Sequence, residues 1–241
     1  VYRHRAALRR LGADGWISPV ARERETTPGG LPIGFEDDTA YFDPVERWVL
    51  RQLLAVPGEV SQAPDVASCR YATLRWLVQD GGPGLISVWN PSFLTLLIQA
   101  AGPEADRLLH DVKHGTLSWP TPLPPALSRG LAARPATADR LRATLGPAGW
   151  SGRDLLPNVA FISCWTDAAA AQGLPALQAL FPGVEIQGKG LLATEGVATF
   201  PLLAHPAPLP ALTSHFLELR PADDPAARPL LVHEAEPGGR C

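Results

Sequence analysis

Residues 156–167 read Leu-Pro-Asn-Val-Ala-Phe-Ile-Ser-Cys-Trp-Thr-Asp, and residues 180–196 read Leu-Phe-Pro-Gly-Val-Glu-Ile-Gln-Gly-Lys-Gly-Leu-Leu-Ala-Thr-Glu-Gly. The first stretch holds a short apolar run, 158–164, that predicts a buried strand. Residues 167–180 between the two stretches are helical in pattern, with Pro175 inside, so a kink or break is expected there. The second stretch holds two more short strands, 184–186 and 191–193. A strand–helix–strand unit takes a right-handed crossover, which predicts that 158–164 lies beside 191–194 in one sheet, covered by the helix. Runs at 200–203, 216–219 and 230–233 predict three further strands. The fold class expected is therefore α/β, a mixed sheet with an antiparallel part at its end.

Upstream the chain is richer in helix. Asp43, Pro44 and Glu46 form a capping-box pattern ahead of an apolar stripe. Helices are expected over 68–79, 93–101, 104–113 and 137–145, with a buried strand at 85–89 and Asn90-Pro91 opening the helix that follows it. The prolines at 120, 122, 124 and 125 make a natural joint. They divide the chain into a helix-rich part, 1–125, and a β/α part, 126–241.

Composition narrows the function class. Of 241 residues 46% are apolar and 19% charged, too apolar for general disorder. The net charge of −3 argues against a nucleic-acid binder. No run of 18 apolar residues predicts a membrane span, and the basic start has no apolar core behind it, so no secretory signal is expected. The 3 cysteines, Cys69, Cys164 and Cys241, are too scattered for a disulfide framework, which makes the cytoplasm the expected compartment. Methionine is absent, Val1 stands first, and arginine far outnumbers lysine, whose only positions are 113 and 189. That bias is typical of a GC-rich bacterial genome, and the chain reads as an internal piece of a longer protein.

Most chemistry-bearing patterns have a plain structural reading. His110 and His114 share a helix face at metal-ligand spacing, but Asp111 stands where a zinc-protease helix has Glu, so solvated histidines at a helix end are expected. Gly81-Gly82-Pro83-Gly84 precedes a strand, the reverse of a phosphate loop, and predicts a turn. Asp37-Asp38 and Asp223-Asp224 read as solvated loops. Thr194-Glu195-Gly196 differs through its setting. It puts a hydroxyl and a carboxylate at the end of an apolar strand, where a carboxylate can hold Mg²⁺ together with phosphate oxygens.

The order strand, turn, helix, strand, Thr-Glu-Gly resembles the adenine- and phosphate-binding section of the adenylate-forming superfamily. The wording is similar to that of bacterial members of the acyl-acid–amido synthetase (auxin-responsive promoter) family. Residues 27–42, 85–97, 108–115 and 214–219 fit the same family in order. The resemblance implies the N-terminal domain of an adenylating enzyme, incomplete. Its implied activity is ATP-dependent joining of a carboxylic acid to an amine or amino acid, with ATP and Mg²⁺ as cofactors. A CoA or aryl-acid ligase of the superfamily, or a non-catalytic α/β binding module, stands as the alternative.

Carried over residue by residue, the resemblance implies Glu195 as the Mg²⁺ ligand and Thr194 at the α-phosphate. Ser163, Cys164, Trp165, Gly190, Leu191, Leu192 and Ala193 would line the nucleotide, with Trp89, Asn90 and Ser92 near the acyl group. Leu191 stands where the superfamily has an aromatic on adenine. Leu192 replaces a small residue and Trp165 is bulky, so the adenine packing is expected to be rearranged. The upstream Ser/Thr/Gly phosphate loop, the downstream Gly-Asp segment and the C-terminal catalytic lysine have no counterpart here. Residues 1–241 alone are therefore expected to lack amide synthetase activity.

Overall fold

The computed structural model describes residues 25–26, 28, 32–33, 43–45, 54–193, 196–202, 205, 207–224, 226–236 and 238. Near the start, β1 (Glu25–Thr26) pairs antiparallel with β2 (Pro32–Ile33). At the expected helix start the Asp43 carboxylate accepts from the Val45 amide at 2.7 Å; Val45, which opens the expected apolar stripe, is exposed, and residues 46–53 lie outside the described residues.

The body is built around α1 (Val66–Val78). Asp65 caps it, accepting from the Ser68 amide at 2.7 Å while its own amide donates to the Ser68 hydroxyl. Buried residues occur all around this helix, from Cys69 and Tyr71 to Leu74, Arg75 and Leu77, as expected of a central helix. After β3 (Leu85–Ser87), Asn90 opens α2 (Pro91–Gln99) as the sequence predicts. Its side chain accepts from the Ser92 amide at 3.0 Å, and Pro91 takes the first turn, where a missing N–H costs nothing. Asn90→Ala is expected to lower stability by about 1 kcal/mol, read as a shifted urea midpoint at unchanged slope.

α3 (Ala105–His114) ends on Gly115 in the left-handed conformation, φ 74°. A Cβ there would sit 2.6 Å from the Ala133 amide nitrogen, so both the backbone angle and the space call for glycine. α3 packs on α4 (Pro135–Thr144), and the short α5 (Gly152–Leu155) is capped by Ser151. The expected interruption at Pro175 is present: a 3₁₀ turn, Ala168–Gly173, gives way to α6 (Leu174–Leu180) with the proline in its first turn.

The sheet corrects one expectation. β4 (Phe161–Cys164) lies between β3 and β5 (Glu185–Gly188), all parallel, with Ile86, Ile162 and Ile186 in register. The neighbour of β4 is thus 185–188, not 191–194. Lys189 extends the ladder by donating its amide to the Cys164 carbonyl at 3.0 Å. Gly190 then turns out of the sheet at φ 75°, where a Cβ would meet the Thr199 carbonyl at 2.5 Å. Beyond it β6 (Leu192–Ala193) pairs antiparallel with β7 (Gly196–Val197) in a separate ladder.

The end of the chain is antiparallel, as expected, but as separate two-stranded ladders and not as part of the parallel sheet. β8 (Thr199–Phe200) pairs with β9 (Leu209–Pro210), and β10 (Glu218–Leu219) with β11 (Leu230–Leu231). The sequence reading passes over β9, because proline demotes a strand to an edge. Ile86 and Ile162 join Leu77, Leu94, Ile98, Leu177 and Phe181 in one buried core. Among the described residues no helix is long and apolar enough to cross a membrane.

Candidate active site

In open parallel α/β sheets ligands bind outside the carboxyl ends of the strands, and here those ends carry most of the described predicted site residues. The alternation of β4 puts Ile162 and Cys164 into the core and leaves Phe161 and Ser163 half-buried. Register aligns Ser87, Ser163 and Gln187 on the last rung that all three strands share. This polar row on a parallel sheet departs from the usual apolar pattern of such strands.

Beyond the row the chain brings the two predicted halves of the site together. The Trp165 amide donates to the Trp89 carbonyl at 2.7 Å, and the two indoles lie 5.3 Å apart, tilted by 53°. Trp89 is 45% exposed although it is a large apolar residue. The Trp165 indole N–H is buried without a hydrogen-bond partner among the described residues. Asn90 and Ser92 sit directly below as cap and first turn of α2. Gly188 is tightly fitted, since a Cβ there would overlap the Thr166 hydroxyl.

Two groups at this edge escape the sequence reading. The Lys189 ammonium donates to the Ser87 hydroxyl at 2.6 Å and lies 5.2 Å from the centre of the Trp89 ring. It reaches from the end of β5 to β3, over the intervening strand. The sequence does carry a signal for it: a lysine between two glycines at a strand end, in a chain whose one other lysine is Lys113.

The remaining predicted residues fall in different places. The Cys164 side chain is fully buried in the core. Burial pushes its thiol up to about 11, against the opposing pull of Lys189, so it is a neutral packing group. Leu191 is exposed, and its amide donates to the Thr199 hydroxyl at 2.7 Å; Leu192 is half-buried. Thr194 and Glu195, which connect β6 to β7, lie outside the described residues. The imidazole of His215 covers Gly196, leaving no room for a Cβ.

The other motifs resolve as structure. His110 and His114 stack at 4.6 Å, and among the described residues no three His, Cys, Asp or Glu side chains come together as a metal cluster. Gly81 and Gly82, at φ 82° and 87°, form the turn before β3; Asp37 and Asp38 lie outside the described residues. Asp111 is not on the histidine face. It is wholly buried, and its carboxylate accepts four hydrogen bonds. They come from the hydroxyls of Tyr71 (2.6 Å), Thr116 (2.5 Å) and Ser118 (2.7 Å) and from the Ser118 amide (2.7 Å). The buried Arg75 guanidinium binds the Asp111 carbonyl at 2.9 Å. Burial pushes the Asp111 carboxyl upward, but these donors outweigh it and hold it below the usual carboxylate range.

The GH3 family N-terminal domain matches residues 5–186. Among solved structures, a GH3.15 acyl acid amido synthetase superposes with a TM-score of 0.59 at 15% identity, over 78% of this chain and 34% of that one. The AtGH3.15 acyl acid amido synthetase in complex with 2,4-DB does so with a TM-score of 0.61 at 16% identity, over the same shares of each chain. The chain thus spans about a third of the length of these structures, 34%. No curated protein matches the sequence. The structural likeness at such identity is one of fold, whereas the family match runs through α1 to α6 and the parallel strands as far as residue 186; on that ground the chain belongs to the GH3 family, within its N-terminal domain.

Proposed function

We propose that this chain forms part of the adenylation site of an ATP-dependent acyl-acid amido synthetase. The observation that carries the reading is the meeting of Trp89 and Trp165. It joins the turn assigned to the acyl group with the strand end assigned to the nucleotide, at the carboxyl edge of a parallel sheet. In functional terms 1–125 supplies the acyl side and 126–241 the nucleotide side, although β3 of the first completes the sheet of the second.

In this reading a carboxylate oxygen attacks the α-phosphorus of ATP and pyrophosphate leaves, giving an acyl-adenylate. An amine then attacks the acyl carbon, AMP leaves, and the nitrogen loses a proton. Both anions of the first step must be brought together in a site that offsets their repulsion. Trp89 and Trp165 would hold the organic parts and exclude water. Ser163 and the backbone at Gly190 to Ala193 would face the nucleotide, and Thr194 would donate to the α-phosphate. Glu195 would be the protein ligand of a Mg²⁺ ion, a cation that draws most of its ligands from phosphates and water. Bound there, Mg²⁺ would supply charge neutralisation at the phosphates.

Exchange of labelled pyrophosphate into ATP by the intact protein tests this. Exchange is expected only when a carboxylic acid is added, and amide product only when an amino acid follows. No exchange across aliphatic and aromatic acids overturns the reading; acid-dependent exchange followed by thioester formation with CoA moves the protein to another branch of the superfamily.

A further inference from the structure

His110 and His114 stand one turn apart on α3, both exposed, and neither belongs to the carboxyl edge of the sheet. Residues at this spacing are neighbours on one helix face, and the fold brings the two rings to 4.6 Å between centres, tilted by 45°. A divalent cation bound at about 2.0–2.1 Å to two imidazole nitrogens sets those nitrogens about 3 Å apart, a separation open to rings this close. The surroundings favour positive charge. His114 is the last residue of α3, at the negative pole of the helix dipole. The Asp111 carboxylate lies 3.7 Å from His110 Nδ1. Hydroxyls and an amide already take its acceptor positions, so it acts on the ring through its charge and not through a hydrogen bond. The buried Arg75 binds the Asp111 carbonyl, and Arg107, one turn before His110, is paired with Glu104.

We propose that His110 and His114 form a two-imidazole site for a divalent transition-metal cation, Zn²⁺ or its neighbours Cu²⁺ and Ni²⁺, with water in the remaining positions. Imidazole selects these cations over Mg²⁺, which prefers oxygen ligands. Structural and catalytic zinc sites use three or four protein ligands, and among the described residues no such cluster forms; two ligands make an open site whose metal exchanges. A cation held by both rings ties successive turns of α3 together, so its binding stabilises the helix end that carries Asp111. The inference is independent of the adenylation reading.

Titration of the intact, chelator-treated protein with ZnCl₂, read by calorimetry and by melting temperature, tests the site. The wild type is expected to bind Zn²⁺ and to melt higher in its presence, and excess Mg²⁺ is expected not to compete. His110→Gln and His114→Gln should each weaken binding at least about tenfold, a loss no smaller than that of an outer-shell partner. Each should also remove the melting shift while leaving the metal-free melting temperature unchanged. Electron paramagnetic resonance of the Cu²⁺ complex should show two nitrogen ligands in the wild type and one in either variant. The proposal is overturned if Zn²⁺ does not shift the wild-type melting curve, or if Mg²⁺ displaces the Zn²⁺. It is also overturned if either variant binds as tightly as the wild type, which would place the metal on other histidines or on cysteine. Should a variant melt lower without metal, the nitrogen count of its Cu²⁺ complex decides: two nitrogens overturn the proposal, and one upholds it.

Discussion

Asp111→Ala is expected to destabilise the protein by about 3–5 kcal/mol, a large share of what holds a single domain folded. The removed carboxylate is the acceptor for three hydroxyls and an amide. An ionised carboxylate only accepts, and every one of these partners donates. Alanine leaves Tyr71, Thr116 and Ser118 facing a void and takes the negative charge away from the buried Arg75 guanidinium. Asp111→Asn keeps the shape but turns an NH₂ toward donors, so it too is expected to be strongly destabilising. The pH dependence follows from the depressed carboxyl. Its stabilisation is complete above the unfolded value of about 3.9 and is lost as pH falls through the lower folded value. Urea unfolding of wild type and Asp111→Asn from pH 7 down to pH 2 checks both. The gap between them should narrow on acidification, and a constant gap would show that the charge on Asp111 does not contribute.

If the proposed adenylation site is right, Glu195→Gln is expected to slow adenylation by at least about 100-fold in the intact protein, while its melting temperature stays close to that of the wild type. Losing one preorganised electrostatic contact at a phosphoryl-transfer site costs about 3–4 kcal/mol. Glutamine keeps the length and loses the charge that a Mg²⁺ ligand needs. An exposed turn carboxylate without that role predicts near-normal rates and a stability change within about 0.5 kcal/mol. Pyrophosphate release across a Mg²⁺ titration separates the two. A variant with the same rate and the same Mg²⁺ dependence as the wild type would remove Glu195, and with it most of the nucleotide assignment.

What the sequence reveals divides along range. Asn90-Pro91 as a helix start and Pro175 as an interruption are readable because their causes lie within one turn of chain. The neighbour of β4 is not, because both 184–186 and 191–193 carry enough apolar residues to be strands. The choice turns on one backbone angle at Gly190. Asp111 is legible in principle. It stands among Leu108, Leu109 and Val112, the buried stripe of α3, and a carboxylate inside an apolar stripe needs buried donors. The histidine spacing draws the eye instead to the neighbouring pair His110 and His114, with His110 Nδ1 only 3.7 Å from the Asp111 carboxylate. Of the site, the Trp89 and Trp165 turns are legible as strand ends, but their contact is tertiary. Lys189 is visible in sequence only as an odd lysine, since its partner Ser87 lies far away in the chain.

The parallel register also sets an order of assembly. Phe161 faces Glu185, 24 positions further on, whereas Leu85 faces Phe161 across 76 positions. Closure entropy grows with the logarithm of loop length, so the longer connection costs about 1 kcal/mol more to close. The shorter connection favours β4 and β5 as the earlier strand pair, with β3 expected to join it later. The junction that joins last is the one where Trp89 meets Trp165. The carboxyl edge where the two indoles meet thus lies on the pairing with the costlier closure, and any molecule bridging the two indoles would act as a clasp on the folded state.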